Sequence, residues 1–155
     1  MTNYIIGPNF TAHDITEEDR PWLEEWLTPA EVANTFHYAT NELPGVYKDL
    51  AWIYCLRSTG ERMHVNISKV ADQTITVIST STHPSLRGNR LGALIFTEVI
   101  NWWKTEGSSL FGVTSFTILS HPPYKRAREN SPEYPWVTVY DNGYVWHERL
   151  YFSDL

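Results

Sequence analysis

Residues 74–107 constrain the fold more than any other segment. Residues 74–82 have strand length and strand alternation, with Ile75, Val77 and Ser79 on one face and Thr76, Ile78 and Thr80 on the other. Pro84 ends that block. From 91 to 106, Leu91, Leu94, Ile95, Val99, Trp102 and Trp103 recur at helical spacing, and Gly107 supplies the stop. A strand therefore feeds a long amphipathic helix through a loop that contains Arg87, Gly88, Asn89 and Arg90. Such a loop aims backbone N–H groups outward at a helix N-terminus, where orphan donors and the macrodipole favour an anion. Arg87 and Arg90 add positive charge, and no acid occurs from Gln73 through Thr97. The loop is not a Walker loop, because the Gly-Lys-Ser/Thr end is missing, and it lacks the three glycines of a dinucleotide fingerprint.

The remaining elements are short. A strand is expected at 9–14 and a helix at 21–27, where Trp22, Leu23, Trp26 and Leu27 form one stripe and Pro21 fits a first turn. Thr28, Pro29 and Glu31 read as an N-cap, a first-position proline and a capping-box glutamate, which opens a second helix through about Phe36. Residues 37–49 read as a loop. Strands come next at 50–57, the apolar run, and at 62–70, where Met63, Val65 and Ile67 alternate with polar neighbours. After the helix at 91–106 come a strand at 112–119, a short basic helix near 124–129, and strands at 136–140 and 144–152 joined by Asp141-Asn142-Gly143.

The chain of 155 residues has the size of one domain, 1–155, and 42% hydrophobic residues give it enough apolar area for a core. The net charge of −6 is unevenly placed: residues 1–50 carry −7 and the rest +1. That balance gives no uniform basic footprint for nucleic acid, and it places an acidic first third where a cationic partner could be met. Cys55 is the single cysteine, so no intrachain disulfide forms, and the six histidines show no ligand spacing, so no metal is expected. Met1 to Phe10 carries no signal-peptide pattern, so a cytoplasmic location with no membrane contact is expected.

The strand, Pro84, the run Arg87-Gly88-Asn89-Arg90-Leu91-Gly92 and the helix after it resemble motif A of the GNAT superfamily of N-acetyltransferases, whose loop reads Arg/Gln-x-x-Gly-x-Gly/Ala. The order of elements matches that fold over nearly the whole chain. The resemblance implies an α/β (mixed α+β) three-layer fold. Its mixed, mostly antiparallel sheet has about seven strands, splayed between the fourth (74–82) and fifth (112–119), and about four flanking helices. It implies acetyl-CoA as acyl donor, with pyrophosphate on the amides of Arg87, Gly88, Asn89, Arg90, Leu91 and Gly92 and pantetheine along Thr80, Ser81 and Thr82. Arg90 stands where the motif has its middle glycine.

Transfer to an amine requires a deprotonated nucleophile and a proton for the leaving thiolate. Many relatives place a glutamate on the fourth strand as base, and this strand has none. His121 has the ordinary pKa for general-base work, and Tyr124 stands where similar enzymes keep a tyrosine that protonates the thiolate, with Tyr134 as its rival. Lys125, Arg126 and Arg128 form a second basic cluster that could hold the nucleotide phosphate. The leading reading is an acetyl-CoA-dependent N-acetyltransferase acting on an amine of a small molecule or protein through a direct ternary complex, with a homodimer allowed. Two alternatives are a nucleic-acid-modifying enzyme of the phage Mom type and a non-catalytic CoA-binding or inhibitory protein on the same scaffold.

Overall fold

The apolar run at 50–56 becomes an internal strand buried on both faces. Leu50, Trp52 and Tyr54 join one hydrophobic core, while Ala51, Ile53 and Cys55 join another on the opposite face. In a strand, successive side chains point to opposite faces, so one unbroken apolar run can serve two layers. A computed structural model of the protein describes residues 3–40, 48–71, 73–87, 91–107, 115–119, 134–142 and 146–152.

Eight strands form one sheet. They are β1 (Asn3–Ile5), β2 (Phe10–Asp14), β3 (Lys48–Leu56), β4 (Arg62–Ala71), β5 (Thr74–Thr82), β6 (Ser115–Leu119), β7 (Val137–Asp141) and β8 (Trp146–Tyr151), in the order β1-β2-β3-β4-β5-β6-β8-β7. All neighbours pair antiparallel except β5 and β6, which are parallel. Helices α1 (Arg20–Glu24) and α2 (Pro29–Thr40) cover one face, and α3 (Leu91–Trp102) covers the other. This is the expected three-layer mixed α/β arrangement. The expected fourth helix lies outside the described residues, as do the turn glycine Gly143 and the first residues of the strand expected at 112–119.

Several boundaries differ from the sequence reading. β1 is an additional strand, three residues long and paired with β2 at the sheet edge, too short for alternation to reveal. Helix α2 runs on to Thr40, so residues 37–40 of the expected loop are helical. Helix α1 stops at Glu24, leaving Trp26 and Leu27 in the turn that leads to α2. On α3 the buried stripe is Ile95, Phe96, Val99, Ile100, Trp102 and Trp103, whereas Leu94 is exposed. Phe96 and Ile100 shift the stripe around the helix, and at about 100° per residue Leu94 falls on the far side. After Trp102 the helix widens into a π-turn, Trp103–Gly107, which ends at the expected glycine. Trp52 of β3 stacks on Trp103 with centroids 5.5 Å apart and rings 3° from parallel, which ties α3 to the sheet.

A buried carboxylate fastens the other end of the core. Glu98 of α3 accepts hydrogen bonds from the Asn9 backbone N–H (3.1 Å), the Asn9 side-chain amide (2.9 Å) and the Phe10 N–H (3.3 Å). The first acid after the basic loop is thus consumed at the β1–β2 turn. Gly7 is required there, because a Cβ at that position would collide with the Glu98 carboxylate.

Candidate active site

Strand β5 pairs with β4 over its whole length and with β6 over its first half. The β5–β6 ladder pairs Thr74 with Ser115 through Val77 with Ile118, and no later pair occurs among the described residues. The register with β4 shifts at the same place: Ser68 faces Val77 and Ile67 faces Ser79, so Ile78 is an extra residue on β5. A bulge of this kind bends the strand and reverses the facing of the residues beyond it. Ile75 and Val77 point into the α3-side core, and beyond the bulge it is Thr80 that lines a cavity on that side with Val77, while Ser79 and Ser81 face α2. The expectation that Ser79 shares a face with Val77 is therefore corrected: the extra residue at Ile78 breaks the period of two.

His64 of β4 anchors the far end of β5. Its Nδ1 lies 2.9 Å from Thr82 Oγ1, and its Nε2 bonds Thr80 Oγ1. The ring is buried, and burial pushes its pKa down to about 3, so it is neutral imidazole with one donor and one acceptor nitrogen. One threonine hydroxyl must donate to it and the other must accept. The polar side of β4, read from the sequence as alternation against apolar residues, is in fact covered: His64 and Ser68 are both buried.

Across a cavity of about 20 Å³, lined by Tyr54, His64, Asn66, Thr80, Gly92 and Phe96 among others, β5 meets the first turn of α3. The structure thereby brings together Thr80 and Gly92, two of the residues expected to hold acetyl-CoA. A Cβ on Gly92 would meet nothing within 4 Å, so packing within the chain does not demand a glycine there, and space for a ligand is open. Leu91 packs against the α3-side core as the first residue of the helix. Between them, His83–Leu86 form a short 3-10 turn in which the His83 ring accepts from the Ser85 N–H, and Arg87 is exposed with its Nε donating to the Thr82 carbonyl at 3.1 Å. That bond holds the guanidinium beside the strand end. Gly88, Asn89 and Arg90 lie outside the described residues, as do His121, Tyr124, Lys125, Arg126 and Arg128.

Tyr134 faces a different region. Its hydroxyl donates to Asn101, nine residues along α3 from Gly92, or about 14 Å at 1.5 Å per residue. Cys55 is buried, with its sulfur 3.9 Å from His13 Nδ1. His13 in turn lies 3.2 Å from Asp19, which is fully buried and also accepts from Arg62 Nε at 2.8 Å and from the Thr16 N–H at 2.9 Å. The Asp19 hydrogen bond, helped by Cys55, raises His13 to about 9. Burial pushes Asp19 upward, but its hydrogen bonds with His13, Thr16 and Arg62 outweigh that and leave it at about 2. Much of the acidity of the first third is thus structural: Asp14 accepts from the Trp52 indole, Glu17 pairs with Arg20, and Asp19 is the hub just described. Glu18, Glu24 and Glu25 stay on the surface.

The same architecture occurs in known acetyltransferases. The chain resembles the N-acetyltransferase PseH of Campylobacter jejuni (9% identity, 93% of this chain and 99% of that one covered, TM-score 0.63). It is similar to the spermidine/spermine N-acetyltransferase SpeG of Vibrio cholerae (10% identity, 96% of each chain, TM-score 0.62). A third likeness is to the ribosomal-protein-S18-alanine N-acetyltransferase of Escherichia coli (14% identity, 92% and 94%, TM-score 0.60). No protein-family model matches the chain, and no curated protein matches it in sequence. The chain has the fold of the GNAT N-acetyltransferases. Among the described residues, no group of His, Cys, Asp and Glu could hold a metal ion, and no helix is long and apolar enough to cross a membrane.

Proposed function

We propose that residues 1–155 form one acyltransferase domain that transfers acetyl from acetyl-CoA to an amine in a direct ternary complex. The observation that carries this reading is the β5 tip, held in place by His64, whose Thr80 shares a cavity with Gly92 in the first turn of α3. Backbone groups of Thr80, Ser81 and Thr82 at that tip are the proposed partners of pantetheine. The proposed pyrophosphate site is the turn from Arg87 to Gly92, where Arg87 and the first turn of α3 supply positive charge and N–H donors.

In the proposed reaction the amine nitrogen attacks the thioester carbon. The C–N bond forms, the C–S bond breaks with its electron pair on sulfur, and the proton lost by nitrogen balances the one gained by the thiolate. Tyr124 is proposed to donate the latter and His121 to accept the former. Burial of Cys55 beside His13 supports direct transfer over an acyl-cysteine route. A lone cysteine also agrees with action in the reducing cytoplasm. Titration calorimetry tests the donor half of this reading: acetyl-CoA should bind one to one and raise the melting temperature, and absence of both effects would remove the proposal.

A further inference from the structure

Glu31, one of the acids of the first third, lines a cavity. The cavity measures about 50 Å³ and lies between α2 and the second half of β5. Glu31, Asn34 and Thr35 line it from the helix, and Ser79 and Ser81 line it from the strand above an apolar floor of β4. The bulge at Ile78 creates this wall by turning Ser79 and Ser81 toward α2. Alternate residues of one short strand therefore serve opposite sides: Thr80 and Thr82 are held by His64, and the serines between and before them open onto the cavity.

The carboxylate is held in position by the start of its own helix. Glu31 Oε1 accepts from the Thr28 N–H (3.2 Å) and Thr28 hydroxyl (2.9 Å), and the Glu31 N–H donates back to Thr28 Oγ1 (3.2 Å). This reciprocal pair restrains a long side chain that would otherwise lose rotamer entropy on meeting a ligand.

Resting on the acetyltransferase reading above, we infer that this cavity is the subsite for the acceptor nitrogen and that Glu31 holds it as an ammonium. The acceptor class that fits is a slender primary alkylamine. At roughly 10–15 Å³ per water-sized group the cavity admits about four such groups, the end of an aminoalkyl chain and not an aromatic ring. An ammonium has three donors, and the Glu31 carboxylate, the serine hydroxyls and the Asn34 amide oxygen are acceptors for them. The nitrogen must lose a proton before it reacts, so Glu31 governs binding and its removal is read in KM.

Glu31→Gln tests this without opening the helix, because glutamine fills the same capping-box role. Wild type titrated with n-butylammonium chloride should show shifts of the Ser79 and Ser81 backbone amide resonances, and aniline should not produce them. Glu31→Gln should weaken the butylammonium response about tenfold or more, the loss expected for a hydrogen bond to a charged group, with acetyl-CoA affinity unchanged. Asn34→Leu, which fills the cavity from an exposed position on α2, should abolish the response. In turnover, Glu31→Gln should raise KM for butylamine about tenfold and leave kcat within about twofold. Unmoved Ser79 and Ser81 amides in wild type, or equal binding by Glu31→Gln, would overturn the subsite. Glu31-dependent amine binding without release of CoA thiol would support the subsite and overturn the acetyltransferase reading instead.

Discussion

His64 Nδ1 lies 2.9 Å from Thr82 Oγ1, so a buried imidazole on β4 sets the end of β5. Replacing it by phenylalanine leaves Thr80 and Thr82 without that partner. Acetyl-CoA affinity should fall about tenfold and unfolding free energy by about 1–3 kcal/mol, measured by calorimetry and urea titration. Because the folded pKa is lowered to about 3 from 6.5, protonation favours unfolding. Wild type should lose stability as pH falls from 6.5 toward 3, and this slope should be clearly shallower in His64→Phe.

The hub at Asp19 has its own pH signature. His13 is raised to about 9, so its contribution is complete below 6.5 and lost as pH rises through 9. Asp19 is lowered to about 2, so its contribution is complete above 3.8 and lost as pH falls through 2. Both shifts describe one interaction and do not add. The stability difference between wild type and Asp19→Asn should therefore be largest between about pH 4 and 6.5, at about 3 kcal/mol, and shrink on either side. A difference that stays flat to pH 10 would contradict this.

Glu98, itself buried, accepts from the exposed Asn9 and from the N–H of the buried Phe10. Glu98→Ala should cost about 3 kcal/mol in urea unfolding. Gly7→Ala should also destabilise, because its methyl group must displace the same carboxylate.

Arg87 is exposed and held by Thr82, so its contribution to anion binding should be electrostatic and screened by salt. Arg87→Ala should lower acetyl-CoA affinity about tenfold at low ionic strength. That gap should narrow at 1 M salt, where the Debye length is about 3 Å. A gap independent of salt would show that the charge is not what matters.

The legibility of each element in the sequence depends on how local its signal is. The strand, loop and helix at 74–107 were readable because periodicity and the Arg87–Gly92 residues are local, and the Thr28–Glu31 capping box is likewise a four-residue pattern. β1 was not, because three residues cannot display a period and its existence depends on pairing with β2. The reversal at Ile78 was also hidden, since a bulge is a relation between β4 and β5. The burial of His64 is not local either. Its alternation with Val65 indicated a polar face, and its burial became visible only once α3 was laid over that face. In the sequence Glu31 is a capping residue within an acidic stretch, and only the tertiary fold places it opposite Ser79 and Ser81.

The most direct test of the central claim is release of free CoA thiol from acetyl-CoA by the intact chain in the presence of primary alkylamines and amino-terminal peptides. The account predicts amine-dependent thiol release matched mole for mole by acetylated product. A chain that binds acetyl-CoA one to one yet releases no thiol above the no-enzyme rate with any amine would contradict it.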